Sequence, residues 1–163
     1  MKIKLDSIYE HYGHKKTRIR YHIILVTKYR RKCLNNIKEH ILESFKYIES
    51  NSNITIHQIN MDNDHIHLLI SFPPQYSILQ TINRLKQGTT NYIYKHCNDY
   101  IKKYYRSKKK KLWSDSYFIS TVGMISENKV IDYIKNQGES DMRNVLHSSD
   151  SLEHMEAEKD IYF

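Results

Sequence analysis

Short runs of β-branched and aromatic residues alternate along this chain with stretches whose apolar positions recur every three or four residues. The two rhythms predict strands and helices in the order βαββαβ. Tyr21 to Thr27 reads as a buried strand, and Thr27-Lys28-Tyr29-Arg30-Arg31 leaves it with a basic cluster at its end. Ile37, Ile41, Phe45 and Ile48 mark one face of a helix capped by Asn35 or Asn36 and ending near Asn51. Ile54 to Asn60 and His65 to Phe72 are two further strands. The turn-forming Asp62-Asn63-Asp64 between them predicts an antiparallel hairpin, which Pro73-Pro74 ends. Ser77 caps a long helix with Ile78, Ile82, Leu85, Tyr92 and Ile93 at helical spacing, weakened locally by Gly88. After a basic loop come a short strand at Tyr117 to Thr121, then Gly123, then a last helix. Ser126 is its expected cap, Glu127 complements its dipole and Gly138 is its terminator.

No repeat or low-complexity tract interrupts this order. It predicts an α+β fold of the ferredoxin-like, split-βαβ kind: a four-stranded antiparallel sheet with helices on one face, plus a C-terminal helix that bears Tyr133.

The chain has 163 residues, enough for one compact domain with extensions. We divide it into a basic N-terminal extension at 1–16, a body at 17–138 and an acidic C-terminal tail at 139–163. No run approaches the roughly 18 consecutive apolar residues of a membrane span. The charged first residues lack the apolar centre of a signal peptide, so the chain is expected in the cytoplasm. Cys33 and Cys97 match no zinc spacing and read as two unpaired structural thiols.

Charge changes the picture. After Gln137 seven acids meet only Arg143 and Lys159, so that tail carries −5 and the residues before it +13, within a formal total of +8. A basic body of this kind suits a polyphosphate partner, because each neutralised phosphate releases counterions. Two patches are candidates for DNA contact: Lys28, Arg30 and Arg31 after the first strand, and the loop containing Lys102, Lys103, Arg106, Lys108, Lys109, Lys110 and Lys111. Tyr104 and Tyr105 interleave the second and offer stacking surfaces to unpaired bases, so single-stranded nucleic acid is the better fit. A solvated connection between two elements is the plainer alternative for this run.

Candidate chemistry centres on His65-Ile66-His67. Strand alternation gives Ile66, Leu68, Ile70 and Phe72 to the core and leaves both imidazoles on the opposite, open face. With Cα atoms about 6–7 Å apart, two such nitrogens can converge on one divalent ion, which is half a metal site. On the last helix Tyr133 and Gln137 stand one turn apart beside the apolar stripe of Val130, Ile131 and Ile134. A phenol and an amide at that border can complete a metal and phosphate site, or be a rim tyrosine and a surface glutamine. With fourteen tyrosines in the chain, spacing alone leaves both readings open.

These residues, in this order, resemble the single-tyrosine HUH transposases of the IS200/IS605 group of insertion sequences. The landmarks are Tyr21 to Arg31, Asp64-His65-Ile66-His67-Leu68-Leu69, Leu85-Lys86-Gln87-Gly88, Leu112 to Phe118, Thr121-Val122-Gly123 and Tyr133-Ile134-Lys135-Asn136-Gln137. The extra residue in Lys86-Gln87-Gly88 and Met124 after Gly123 depart from the commoner pattern. The resemblance implies that His65 and His67 are metal ligands, that Gln137 completes the site, that the ion is Mg²⁺ or Mn²⁺ and that Tyr133 is the catalytic nucleophile. It further implies cleavage and rejoining of single-stranded DNA with end hairpins through a 5′-phosphotyrosine. The implied assembly is a homodimer in which one subunit's tyrosine helix serves the other's histidines. A domesticated repeat-associated relative shares the same chemistry, as do a replication initiator and a relaxase. A non-catalytic single-stranded nucleic-acid-binding module is the alternative from another class.

Overall fold

The computed structural model describes residues 9–123 and 127–136. Its frame is a four-stranded sheet built from β3 (Arg20–Val26), β4 (Thr55–Met61), β5 (His65–Ser71) and β6 (Phe118–Val122), preceded by a small hairpin of β1 (Glu10–Tyr12) and β2 (Lys15–Thr17). The strand order is β4-β5-β3-β6, every pair antiparallel. This is the expected ferredoxin-like arrangement, with β3 and β5 at its centre because they carry the chain's densest apolar runs. The helices are α1 (Lys38–Ser50), α2 (Ile78–His96), the short α3 (Asn98–Lys102) and α4 (Glu127–Asn136).

One face of the sheet packs on α1 and α2. Ile23 and Leu25 from β3 and Ile66, Leu68 and Ile70 from β5 meet Ile41, Phe45, Ile48, Ile82, Leu85 and Ile93 in the main core. Ser77 caps α2 as expected, through a reciprocal capping box with Gln80. Gly88 does more than weaken the helix. A Cβ there would stand 2.8 Å from Ile48 Cδ1 and 2.9 Å from Ile48 Cγ1, so its absence lets α1 and α2 approach.

Several expectations need correction. Asn35 and Asn36 do not cap α1: they lie in a 3-10 turn, and the helix begins at Lys38 without a side-chain cap. Ile78 and Tyr92 lie outside the buried stripe of α2, which takes in Thr81, Thr89 and Tyr94 instead. The second face of the sheet is covered rather than open. Val130 and Ile134 of α4 pack on Leu69, and His67, edge-on to Tyr133 of the same helix, is only 1 % exposed. The amphipathic stripe of α4 explains the difference, because an apolar helix face buries itself on the nearest apolar strand. Ser126 and Gly138, the expected ends of this helix, lie outside the described residues.

The β1–β2 hairpin turns at Gly13, whose φ of +63° suits glycine. It brings Glu10 onto the sheet, where its carboxylate accepts hydrogen bonds from Arg20 and, at 2.6 Å, from Ser71 Oγ.

Candidate active site

The face under α4 collects three histidines. Alternation along β5 puts His65, His67 and Leu69 on it, and alternation along β3 adds His22, which sits diagonally across the ladder from His67. His22 and His67 stack at 5.3 Å between centroids, and His22 Nε2 lies 3.0 Å from His67 Nδ1. His65 and His67 have centroids 5.2 Å apart. Tyr133, projecting from α4, stands edge-on to both buried rings, 5.8 Å from His67 and 6.2 Å from His22. The histidine pair and the tyrosine expected from the sequence are therefore brought together, within one chain.

Each histidine of the pair is held by its Nδ1. His65 Nδ1 is 2.7 Å from Asp64 Oδ1, and His67 Nδ1 faces His22. Such contacts fix ring orientation and tautomer and direct the Nε2 of each ring toward other work. Burial opposes ionisation of Asp64, but hydrogen bonds from His65 and Arg30 outweigh it and keep its carboxyl below the usual carboxylate range. His22 is fully buried, and that desolvation pushes its pKa down to about 4, so it is neutral at physiological pH. Sequence reasoning missed His22. Its signal was the alternation of His22, Ile24 and Val26 along β3, which puts it on the same face as the pair.

The position of α4 is set from both ends. Glu127 in its first turn receives Arg18 at 2.9 Å and Arg20 at 3.5 Å, and Asn60 of β4 donates its side-chain amide to the carbonyl of Ile134. The donors fit a divalent cation in part: two oriented imidazoles on one face offer neutral nitrogens of the right kind. Among the described residues no group of three His, Cys, Asp or Glu side chains could hold a metal ion. Gln137, the expected third ligand, lies outside the described residues.

Residues 15–137 match the family described as IS200-like transposases. The chain belongs to this family. It is 30 % identical over 130 residues to the transposase for insertion sequence element IS200 of Salmonella typhimurium, covering 79 % of this chain and 83 % of that one. It is 25 % identical over 120 residues to the ISDra2 transposase TnpA of Deinococcus radiodurans, covering 73 % and 84 %. Two solved structures share the fold. One is a transposase from Deinococcus radiodurans (TM-score 0.60, 22 % identity, 78 % of this chain and 98 % of that one). The other is a REP-associated tyrosine transposase bound to a REP hairpin (TM-score 0.54, 11 % identity, 78 % and 72 %). An IS200-like transposase is a DNA-cleaving enzyme, and among the described residues no helix is long and apolar enough to cross a membrane.

In this IS200-like transposase the expected DNA-contacting cations divide by environment. Lys28 is paired with the Asp115 carboxylate, and Arg30 Nε lies 3.1 Å from Asp64 Oδ2. Arg31 and Lys108 to Lys110 are exposed, and Lys111 is half-buried. Tyr105 does not offer its ring to bases. It is 3 % exposed, and its hydroxyl donates to the carbonyls of Lys28 and Leu112, so it braces the basic loop against the turn after β3. Lys86, from the Lys-Gln-Gly landmark, donates from Nζ to the carbonyls of Ser114, Asp115 and Ser116 at 2.8–3.0 Å and so fixes the turn that carries Asp115.

Proposed function

We propose that this transposase cleaves and rejoins single-stranded DNA at insertion-sequence ends through a covalent link to Tyr133. The observation that carries the reading is the Tyr133 ring 5.8 Å from His67, on the face where His65 and His67 lie side by side. In this reading the Tyr133 phenol loses its proton to water and its oxygen attacks the scissile phosphorus. The bond to the 3′-oxygen breaks, that oxygen takes up a proton, and the strand stays attached to Tyr133 through its 5′-phosphate. A later 3′-hydroxyl reverses the exchange without ATP, because one phosphodiester replaces another. Tyrosine ordinarily titrates near 10, so the attack needs charge neutralised at the phosphate. Mg²⁺ or Mn²⁺, held by His65 and His67 with Gln137 as third ligand, would supply that neutralisation with its full +2, because these ligands are all uncharged.

Arg31 and Lys108 to Lys111 contact the DNA backbone in this reading, joined by Lys28 and Arg30 when DNA competes for their carboxylates. The substrate carries hairpins near the cleavage point. The active unit is a homodimer in which α4 of a second copy makes on Leu69 the contacts that Val130 and Ile134 make within one chain, an exchange of identical elements between copies.

The test is cleavage of a labelled hairpin oligonucleotide with a single-stranded flank, compared with its full duplex, with and without EDTA. Cleavage confined to the single-stranded form, abolished by EDTA and by His65→Ala or His67→Ala, supports the reading; undiminished cleavage in excess chelator rejects the metal. Mixed dimers of Tyr133→Phe with His65→Ala/His67→Ala chains decide the sharing. Activity restored on mixing supports exchange, and verified heterodimers without activity leave each tyrosine with its own sheet.

A further inference from the structure

Two successive non-glycine residues, Tyr29 (φ 59°, ψ 23°) and Arg30 (φ 51°), hold the left-handed backbone region. For a bulky aromatic that conformation persists only where the surroundings over-determine it, and such strain clusters at binding sites. Here the clamps are visible. Thr27 N donates to Asp64 O and Lys28 N to Leu112 O, both at 2.8 Å; Thr27 Oγ1 donates to Arg31 O at 2.8 Å; and the buried Tyr105 hydroxyl reaches Lys28 O at 3.1 Å. All this anchoring ends in a ring that is 67 % exposed, so core packing does not account for it. Tyr29 instead forms part of the wall of a cleft of about 470 Å³, together with Arg31, Lys103, Tyr104, Arg106 and Lys111. Lys28 Nζ adds a further cation 5.7 Å from the Tyr29 ring centroid.

We infer that this cleft seats one unpaired nucleotide of the DNA strand, its base stacked on Tyr29 and its phosphates neutralised by Arg31, Lys103, Arg106 and Lys111. The inference rests on the proposed action on single-stranded DNA and adds a subsite to it. Cations around an exposed aromatic ring select a polyanion that also has flat faces, and only an unpaired base can present a face to a ring. The volume falls within the roughly 300–1,000 Å³ of small-ligand sites. The cleft is also wired to the histidine pair. Arg30, next in the turn, pairs with Asp64, whose other oxygen holds His65 Nδ1. A nucleotide on Tyr29 therefore rests against the turn that braces one of the two imidazoles.

The test compares full-length wild type, Tyr29→Gly and Tyr29→Phe by fluorescence anisotropy, on a labelled twelve-nucleotide oligothymidylate and on an abasic strand of equal charge. Glycine accepts the left-handed backbone, so Tyr29→Gly removes the ring and keeps the turn. Tyr29→Gly is expected to weaken oligothymidylate binding roughly five- to a hundred-fold, to change abasic binding less than about two-fold, and to be rescued by Tyr29→Phe. Arg31→Gln with Arg106→Gln should weaken both strands and flatten the salt dependence. Wild-type affinity of Tyr29→Gly for oligothymidylate, or an equal loss on the abasic strand, overturns the stacking site. If wild type still binds the strand and cleaves hairpin DNA, that result overturns the subsite alone. A wild-type chain that binds no single-stranded DNA overturns both this inference and the function beneath it.

Discussion

Replacing His22 by leucine should separate stability from activity. The side chain is fully buried; its Nε2 lies 3.0 Å from His67 Nδ1, and its Nδ1 has no hydrogen-bond partner among the described residues. Leucine fills similar space without polar atoms. Losing the bond leaves His67 Nδ1 short of one partner, at a cost of about 1–3 kcal/mol, while deleting an unsatisfied buried nitrogen gains a similar amount. The net change at pH 7 is therefore expected within about 1 kcal/mol. Activity should not be spared, because loss of a group that orients a ligand histidine costs on the order of 10- to 100-fold in metal affinity or rate. Acid adds a second signature. Burial holds the His22 pKa at about 4 against an ordinary 6.5, so between those values the unfolded chain binds more protons and the wild type loses stability as pH falls. That lowering corresponds to about 3 kcal/mol near pH 4, and His22→Leu escapes it. Urea unfolding of metal-free protein at pH 7, 5.5 and 4.5, with Mn²⁺ titrations of hairpin cleavage at pH 7, measures both. Wild-type cleavage at wild-type Mn²⁺ concentrations refutes the orienting role, and equal acid sensitivity refutes the buried neutral imidazole.

Asp64→Ala removes the carboxylate 2.7 Å from His65 Nδ1 and should raise the Mn²⁺ concentration needed for cleavage by about 10- to 100-fold, whereas Asp64→Asn, which keeps an acceptor oxygen, should lose less; the same titration reads it. Gly88→Ala gains up to about 1 kcal/mol of helix propensity but meets Ile48 at 2.8 Å, for about 1–3 kcal/mol of overpacking, so urea unfolding should show a net loss. In an Ile48→Ala background the same change should become neutral or stabilising, and a loss that persists there contradicts the clash. Replacing Lys108 to Lys111 by glutamine should lower affinity for single strands of any sequence, and should reduce the slope of log K against log salt by about 0.7 per lost phosphate contact. An unchanged slope places those contacts elsewhere.

Patterns that repeat along one element were legible in the sequence, and contacts between elements were not. Alternation at His65-Ile66-His67 and the runs at Tyr21 to Thr27 and Ile54 to Asn60 yield the strands, and Ser77 marks the start of α2, because each signal is local. The cover that α4 places on His67 depends on where Val130 and Ile134 find a partner, and Leu69 is distant in the chain. His22 escaped notice for the same reason: one histidine in an apolar strand looks structural until the β3–β5 register sets it beside His67. Tyr105 misled in the opposite direction. A tyrosine within a lysine-rich run reads as a stacking surface, yet its ring is buried and its hydroxyl ties two backbone segments together. Exposure of Tyr29 could not be told from that of its neighbours, because the positive φ that turns it outward is set by bonds to Asp64 and Leu112.

The central claim is that Tyr133 becomes joined to DNA, and trapping that joint is its most direct measurement. A hairpin oligonucleotide labelled on the 3′ side of the cleavage point, incubated with Mn²⁺ and denatured, should give a labelled protein band. Peptide mapping should find the nucleotide phosphate on Tyr133, and Tyr133→Phe should give no band while remaining folded and able to bind the strand. An adduct of equal yield in Tyr133→Phe, or efficient cleavage by wild type with the label never attached to protein, contradicts the account.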